Sequence, residues 1–272
     1  MISCNISIFC ILFGISNIIV SNSEPLGGDY VKKVSQNNFD FVVSIAHSDE
    51  SLSWKEGHFC TGTLFTYKHI LTSEKCLFGK SANEIVLYIG SPHVKRAKKY
   101  QACKLITHSS WVAEVDNEVT TIGSENIGVI TLCKIMKPHK IRPASISFAS
   151  DNRRPGAKAV VAGWGSLKDG SKSMYLRKAS VAVLGQNDCQ KETNGRFTDG
   201  QVLCTSATPY VMTKPGDTGG PLFDQQDRLI AISTGTWFMG IQNPDSVINT
   251  HLNLLNYRRF LSNFIRIYDA SS

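Results

Sequence analysis

The chain has 272 residues, 42% of them hydrophobic and 19% charged. Those globular proportions exclude a disordered tail, a collagen-like rod and a string of transmembrane spans. Lys and Arg number 29 against 22 Asp and Glu, a formal charge of +7; this permits an acidic partner but lacks the charge density of a dedicated nucleic-acid binder.

The first element reads as an export signal. Ile6 to Val20 is ISIFCILFGISNIIV, an almost unbroken apolar run, and Ser21 and Ser23 place small residues at the −3 and −1 positions of a cut after Ser23. No Lys or Arg precedes Lys32, so the basic flank of such signals is missing. The alternative is a membrane anchor, but the run is short for a span and has no basic flank close behind it. The reading is therefore a signal over residues 1–23 and a single domain over 24–272, exported, with no membrane span. Cys4 and Cys10 leave with the signal. Cys60, Cys76, Cys103, Cys133, Cys189 and Cys204 remain, an even number that in an exported chain reads as three disulfides with their pairing open. Zinc is the competing use, but no C-x-x-C or clustered Cys/His spacing supports it; no metal and no cofactor is expected. The only Asn-x-Ser/Thr sequon, Asn5-Ile6-Ser7, lies inside the signal, so N-glycosylation is not expected.

Short β-type runs follow: Phe41–Ala46, Glu84–Ile89, Gly128–Leu132, Ala157–Ala162, Ser180–Leu184 and Leu229–Ser233, punctuated by Gly, Pro, Asn and Ser. That spacing is of an antiparallel barrel or sandwich, not of βαβ units. Trp54 and Trp111 read as loop residues, with half-buried packing as their default role. Residues 93–100, HVKRAKKY, and Arg153-Arg154 carry much of the positive excess. A solvated strand edge blunted by lysine is the plain reading of the first stretch; an acidic protein or glycan ligand is the other. From Asn253 to Tyr268, apolar residues recur near helical spacing with Arg258, Arg259 and Arg266 elsewhere on the wheel. This predicts a terminal amphipathic helix that packs on the barrel.

Several motifs in one order carry a resemblance. Gly216-Asp217-Thr218-Gly219-Gly220-Pro221-Leu222 closely resembles the GDSGGPL signature of the trypsin/chymotrypsin-like serine proteases. His58-Phe59-Cys60-Thr61-Gly62-Thr63-Leu64 is similar to the family's HFCGGSL, and Leu71-Thr72-Ser73-Glu74-Lys75-Cys76 stands where LTAAHC belongs. Glu125 to Ile130 stands where NDIALI belongs, and Ala162-Gly163-Trp164-Gly165 matches AGWG. The likeness runs from about Pro25 to Tyr268. It implies an all-β fold of two antiparallel six-stranded barrels, chymotrypsin-like, with a C-terminal α-helix. It also implies the disulfides Cys60–Cys76 and Cys189–Cys204. Cys103 and Cys133 are then left for each other on neighbouring strands of the first barrel, a pairing that is not a family hallmark.

Within this frame the catalytic positions are all changed. Acyl transfer of this type uses a hydroxyl nucleophile, an imidazole base and a carboxylate that fixes the imidazole tautomer. Here those positions hold Thr218, Lys75 and Asn126. The threonine methyl restricts χ1 and crowds the attack path. A lysine is a cation at neutral pH unless it is desolvated. Asparagine brings no charge. Losing triad members costs roughly 10⁴-fold or more in rate, so the resemblance implies a non-catalytic homologue. The counter-reading is a weak unconventional endopeptidase with a Thr218–Lys75 dyad. It needs Lys75 buried and neutral, whereas the adjacent Glu74 favours its charged form.

Activation is altered as well. The family matures when a cut after a basic residue frees an Ile-Val amine that pairs with the aspartate matching Asp217. Here Pro25 and Leu26 stand at that point, preceded by Glu24. The expectation is a precursor-like site in which His58 pairs with Asp217 and the oxyanion hole, of which Gly216 and Thr218 remain, is not locked; Asp217 bound only to nearby backbone amides is the alternative. On the same expectation, restoring His, Asp and Ser at positions 75, 126 and 218 gives no protease. The specificity pocket has Met212 at its base, Lys214 in place of a disulfide cysteine, and Thr234 in place of a common tryptophan, so no inherited cleft preference follows. The job implied is binding of extracellular proteins, an active serine protease among them, as cofactor, scaffold or decoy. Nucleic acid is not expected, and oligomeric state is open. The likeness is nearest to insect non-catalytic homologues. Those acting in immunity, as regulators of protease cascades, generally carry an extra N-terminal module. Here Gly27-Gly28 follow the signal almost directly, which leans towards the single-domain homologues of seminal fluid and towards post-mating or sperm-storage physiology.

Overall fold

The computed structural model describes residues 26, 31–115, 127–137, 141–167, 170–197, 200–238 and 247–269. Residues 1–25, which include the expected signal, Gly27-Gly28 and Asn126 lie outside them. The elements in chain order are β1 (Lys32–Lys33), β2 (Val42–His47), α1 (Trp54–Gly57), β3 (His58–Leu64), β4 (His69–Ser73), β5 (Ile85–Ile89), β6 (Lys98–Thr107), α2 (His108–Val115), β7 (Ile127–Leu132), β8 (Lys158–Gly163), β9 (Arg177–Val183), α3 (Gln186–Glu192), β10 (Val202–Ser206), β11 (Pro221–Phe223), β12 (Leu229–Phe238), β13 (Val247–Asn253) and α4 (Arg258–Asp269).

The strands close into two antiparallel barrels. The first runs β2-β3-β4-β7-β6-β5. The second runs β9-β10-β13-β12-β11-β8 and closes because β8 also pairs with β9; β1 adds to the outside of β9. The expected strands all form, with ends shifted by a few residues: the run at Leu229 extends to Phe238 where it pairs with β13. Trp54 and Trp111 are not loop residues. Trp54 opens α1, whose start is held by a reciprocal Ser53–Glu56 capping box, and Trp111 sits on α2, edge-on to Phe260 of α4 at 5.4 Å.

The alternation of apolar residues along these strands fills each barrel. Val43, Ile45, Leu64, Ile70, Leu87, Ile89, Ile130 and Leu132 make the interior of the first. A larger cluster joins the two barrels, with Val42, Leu71 and Val129 meeting Trp164, Leu176 and Phe223, and Phe260, Leu261 and Phe264 of α4 closing over it. Each such side chain contributes about 1.5–3 kcal/mol on burial. The terminal amphipathic pattern is thus a packing face, as the sequence implies. The three disulfides are Cys60–Cys76, Cys103–Cys133 and Cys189–Cys204. The first ties β3 to the turn after β4 that carries Lys75. The loop between β10 and β11, residues 207–220, reaches the junction of the barrels and brings Asp217 and Thr218 to the same place.

Candidate functional site

Asp217 is the buried centre of the junction, 1% exposed. Its Oδ1 accepts the Gly165 amide at 2.7 Å and its Oδ2 accepts the Lys214 amide at 2.9 Å. A Cβ on either Gly163 or Gly165 would overlap the carboxylate, so the glycines that bracket Trp164 are there to let the carboxylate in. Burial raises the Asp217 pKa to about 6, against the pull of these two amides and of the Lys172 and Lys214 charges. This geometry corrects the expected His58–Asp217 pair: the carboxylate is satisfied by backbone amides on the far side of Gly216, and it makes no bond to the imidazole.

His58 is held elsewhere. Its Nδ1 lies 2.9 Å from Ser44 Oγ, which also accepts the Trp54 indole N–H at 2.9 Å. The Trp54 ring stacks on the imidazole with centroids 5.1 Å apart. His58 Nε2 has no hydrogen-bond partner among the described residues and faces Gly216, where a Cβ would stand 2.9 Å from it. Burial first, and the Lys172 charge second, push the His58 pKa down to about 3, so the ring is neutral. The two side chains are separated by their partners: Ser44 and the stacked Trp54 hold the imidazole, while the Gly165 and Lys214 amides hold the carboxylate.

Lys172 was not singled out by any sequence pattern, yet it clamps this centre. Its ammonium donates to Pro215 O at 2.7 Å and to Ser166 Oγ at 2.8 Å, and the Ser166 amide also donates to Pro215 O at 3.0 Å. Segments 165–166 and 214–215 each give Asp217 an amide, and Lys172 staples one to the other just outside the carboxylate. Burial lowers the Lys172 pKa and Asp217 opposes that shift. Thr61 adds a second tie, its hydroxyl donating to Gly216 O at 2.8 Å. Thr61 was legible as a departure, because the resembling motif has glycine there.

The reactive corner lies beyond Gly216. Gly216 has φ +102°, a left-handed backbone that favours glycine. The amides of Gly216 and Thr218, the expected oxyanion-hole remnant, donate to no acceptor among the described residues. The Thr218 carbonyl accepts the Thr61 amide at 2.9 Å and lies 3.6 Å from Cys76 Sγ, which sets Thr218 beside the turn carrying Lys75. Lys75 is exposed. The neighbouring Glu74 carboxylate accepts from Ser109 Oγ at 3.0 Å on α2, and burial raises its pKa. Where the specificity pocket is expected, Met212 is half-buried and its surroundings bond to one another. Thr213 Oγ1 and Thr236 Oγ1 are 2.7 Å apart, Asn249 Nδ2 donates to Val211 O at 2.7 Å, and Thr234 Oγ1 meets Thr250 Oγ1 at 2.9 Å. A cavity of about 920 Å³ lies elsewhere, on the outer face of the first barrel between Trp54, Tyr88 and Tyr100, away from the Thr218 chemistry.

With this geometry in place, the family is clear. The family model described as trypsin matches residues 30–256, and the chain belongs to the trypsin family. Chymotrypsin-2 of Vespa crabro is 27% identical over 181 residues, 65% of this chain and 78% of the relative. Trypsin delta of Drosophila melanogaster is 28% identical over 63% of this chain and 66% of the relative. Mouse transmembrane protease serine 11C is 26% identical over 70% of this chain but only 42% of its own length. Among solved structures, mouse neuropsin, described as a serine protease expressed in the limbic system of the brain, superposes with a TM-score of 0.69 at 18% identity, over 86% of this chain and 98% of that one; this likeness speaks to fold alone. The trypsin-like domain and three disulfides point to an oxidising, extracellular setting, and no described helix is long and apolar enough to cross a membrane.

Proposed function

We propose that this trypsin-family chain works outside the cell as a non-catalytic homologue, binding other extracellular proteins as cofactor, scaffold or decoy. The observation that carries the reading is the exposure of Lys75 at the position of the base. A lysine general base needs burial to lose its proton, and an exposed one leaves the Thr218 hydroxyl without a proton acceptor of the required kind. Thr218 keeps a hydroxyl, and the amides of Gly216 and Thr218 donate to no acceptor among the described residues, so they are available to a peptide carbonyl while the means to cleave it is gone. That combination suits a decoy or a cofactor that engages a protease substrate without turning it over. Placement in reproductive secretions is the narrower form of the proposal.

The test has two arms. Cross-linked co-purification of the native protein from its source secretion, read by mass spectrometry, is expected to return a reproducible protein partner. Hydrolysis of a peptide library is expected to stay at background, with no change in Thr218→Ala. Turnover abolished by both Thr218→Ala and Lys75→Met would replace this reading with that of a dyad hydrolase.

A further inference from the structure

We infer that the basic sheet edge at β1, which carries cations on both of its sides, is a binding surface for a linear sulfated polysaccharide. This goes beyond the protein-binding role and does not depend on it. Three separate segments are interlaced there. The Val34 amide donates to Leu176 O, the Leu176 amide to Pro92 O and the Val94 amide to Met174 O, while Arg96 donates to Gln36 Oε1 at 3.0 Å. Residues 31–36, 91–98 and 172–178 contain no Asp or Glu. They bring together exposed Lys32, Lys33, Lys95, Arg96 and Lys98 with half-buried Lys178, six cations in a chain whose whole formal excess is +7. No carboxylate among the described residues pairs with any of them.

The strand register makes this more than a solvated edge. Lys32 of β1 stands directly opposite Lys178 of β9. Like charges directly opposite across a ladder destabilise it. Lysine on the edge strand alone is enough to deter strand addition; cations on the facing strand as well are not needed for that. The repulsion is relieved by an anion bridging the pair. A cavity of about 320 Å³ is lined by Lys32 and Lys178, with Ser180 and Thr208 and no acid among its described residues.

The chemistry favours a polysaccharide over an acidic peptide. Protein interfaces are anchored by apolar side chains in pockets. Here the rings are covered by ammonium groups, Lys33 Nζ over Tyr175 at 4.8 Å and Lys178 Nζ over Phe39 at 5.0 Å. Five of the six cations are lysines, mobile point charges that follow sulfates spaced along a chain without demanding planar geometry.

The experiment measures binding of the full exported chain to a size-defined heparin decasaccharide as a function of NaCl, beside poly-glutamate of matched charge. The expected result is saturable binding of the decasaccharide, with log K falling linearly against log salt. Lys32→Gln/Lys95→Gln/Arg96→Gln/Lys178→Gln is expected to weaken it by about tenfold or more and to flatten the salt slope. Lys158→Gln/Lys191→Gln, at exposed lysines outside the three segments, is expected to leave it unchanged. The four-residue variant is also expected to keep a cooperative melt, since losing the Lys32–Lys178 repulsion offsets losing the Arg96–Gln36 bond and the Lys178–Phe39 contact; this separates lost binding from lost folding. No binding at low salt, an equal loss in the control variant, or poly-glutamate binding as tightly would each overturn the proposal.

Discussion

Asp217 and Thr218 are adjacent in the chain and have opposite fates. The Asp217 side keeps its whole setting: two amides, two glycines that make room for the carboxylate, and a neutral histidine beyond Gly216. The Thr218 side keeps its backbone but carries a threonine beside an exposed Lys75. The difference teaches what constrains each. Asp217 is a buried carboxylate, and removing any partner leaves an uncompensated buried group costing several kcal/mol. The groups at Thr218 and Lys75 meet solvent, so the fold tolerates their exchange. Substitutions that separate the two sides should therefore behave very differently.

The largest effect is expected at the cradle. Gly163→Ala and Gly165→Ala place a methyl on the Asp217 carboxylate, and the backbone on both sides is fixed, one residue in β8 and the other donating to the acid. A loss of about 3 kcal/mol or failure to fold is expected, at the upper end for overpacking. Denaturant unfolding checks it. A cost below about 1 kcal/mol in both variants would mean that Asp217 is not held as described.

Next comes pH. His251 is fully buried between Thr205 and Ser233, and burial takes its pKa to about 3, with His58 near 3 and His69 near 4. The unfolded chain takes up these protons near pH 6.5 and the native state does not, so stability present above pH 6.5 is lost as pH falls towards 3. For His251 alone the full window corresponds to a shift on the order of 4–5 kcal/mol. Asp217 works the other way. Its pKa of about 6 makes the native state bind its proton more readily than the unfolded chain, so protonation between pH 6 and about 4 adds stability. Unfolding free energies between pH 4 and 7 should show a shallower slope in His251→Gln and a steeper one in Asp217→Asn.

A smaller effect is expected at Lys172. Lys172→Met removes two hydrogen bonds from a half-buried ammonium, about 1–2 kcal/mol, and Lys172→Arg should retain part of it. The specific readout is hydrogen exchange at the Gly165 and Lys214 amides, which should quicken in the methionine variant while amides of the first barrel do not. Uniform quickening would make Lys172 a general packing residue, not a staple on Asp217.

Much of this was legible in the sequence where the pattern is periodic or covalent. The short β-type runs gave an antiparallel barrel or sandwich, the arginine-flanked apolar repeat gave α4, and the cysteine count gave three disulfides; the two barrels and the pairings came from the motif resemblance. The reactive corner was legible as three departures from one set of motifs. The neighbours of Asp217 were not. His58 could be named, but its choice between Asp217 and Ser44 is decided by burial and by Trp54 stacking on it, neither of which leaves a mark in spacing. Lys172 is an ordinary loop lysine until the fold sets it over Pro215. The expectation that restoring His, Asp and Ser gives no protease rested on the missing activation, the Pro25-Leu26 start in place of an Ile-Val amine together with a His58–Asp217 pair. With Asp217 bound to amides instead, that revertant directly tests whether the backbone alone remains competent.

The smallest effect is expected at the positions that match the family's catalytic residues. Thr218→Ala removes an intermediate-exposure side chain, and Lys75→Met replaces an exposed one; surface substitutions of this kind usually stay within about 0.5 kcal/mol. Neither should change hydrolysis, because an exposed ammonium cannot accept the hydroxyl proton. The pair thus tests the comparison from its quiet side. If Thr218→Ala costs as much as Gly163→Ala, the hydroxyl has acquired a structural role and the reactive corner is part of the buried centre after all. If it is silent in stability and turnover yet weakens capture of a partner protein, the threonine lines the surface through which the chain now acts.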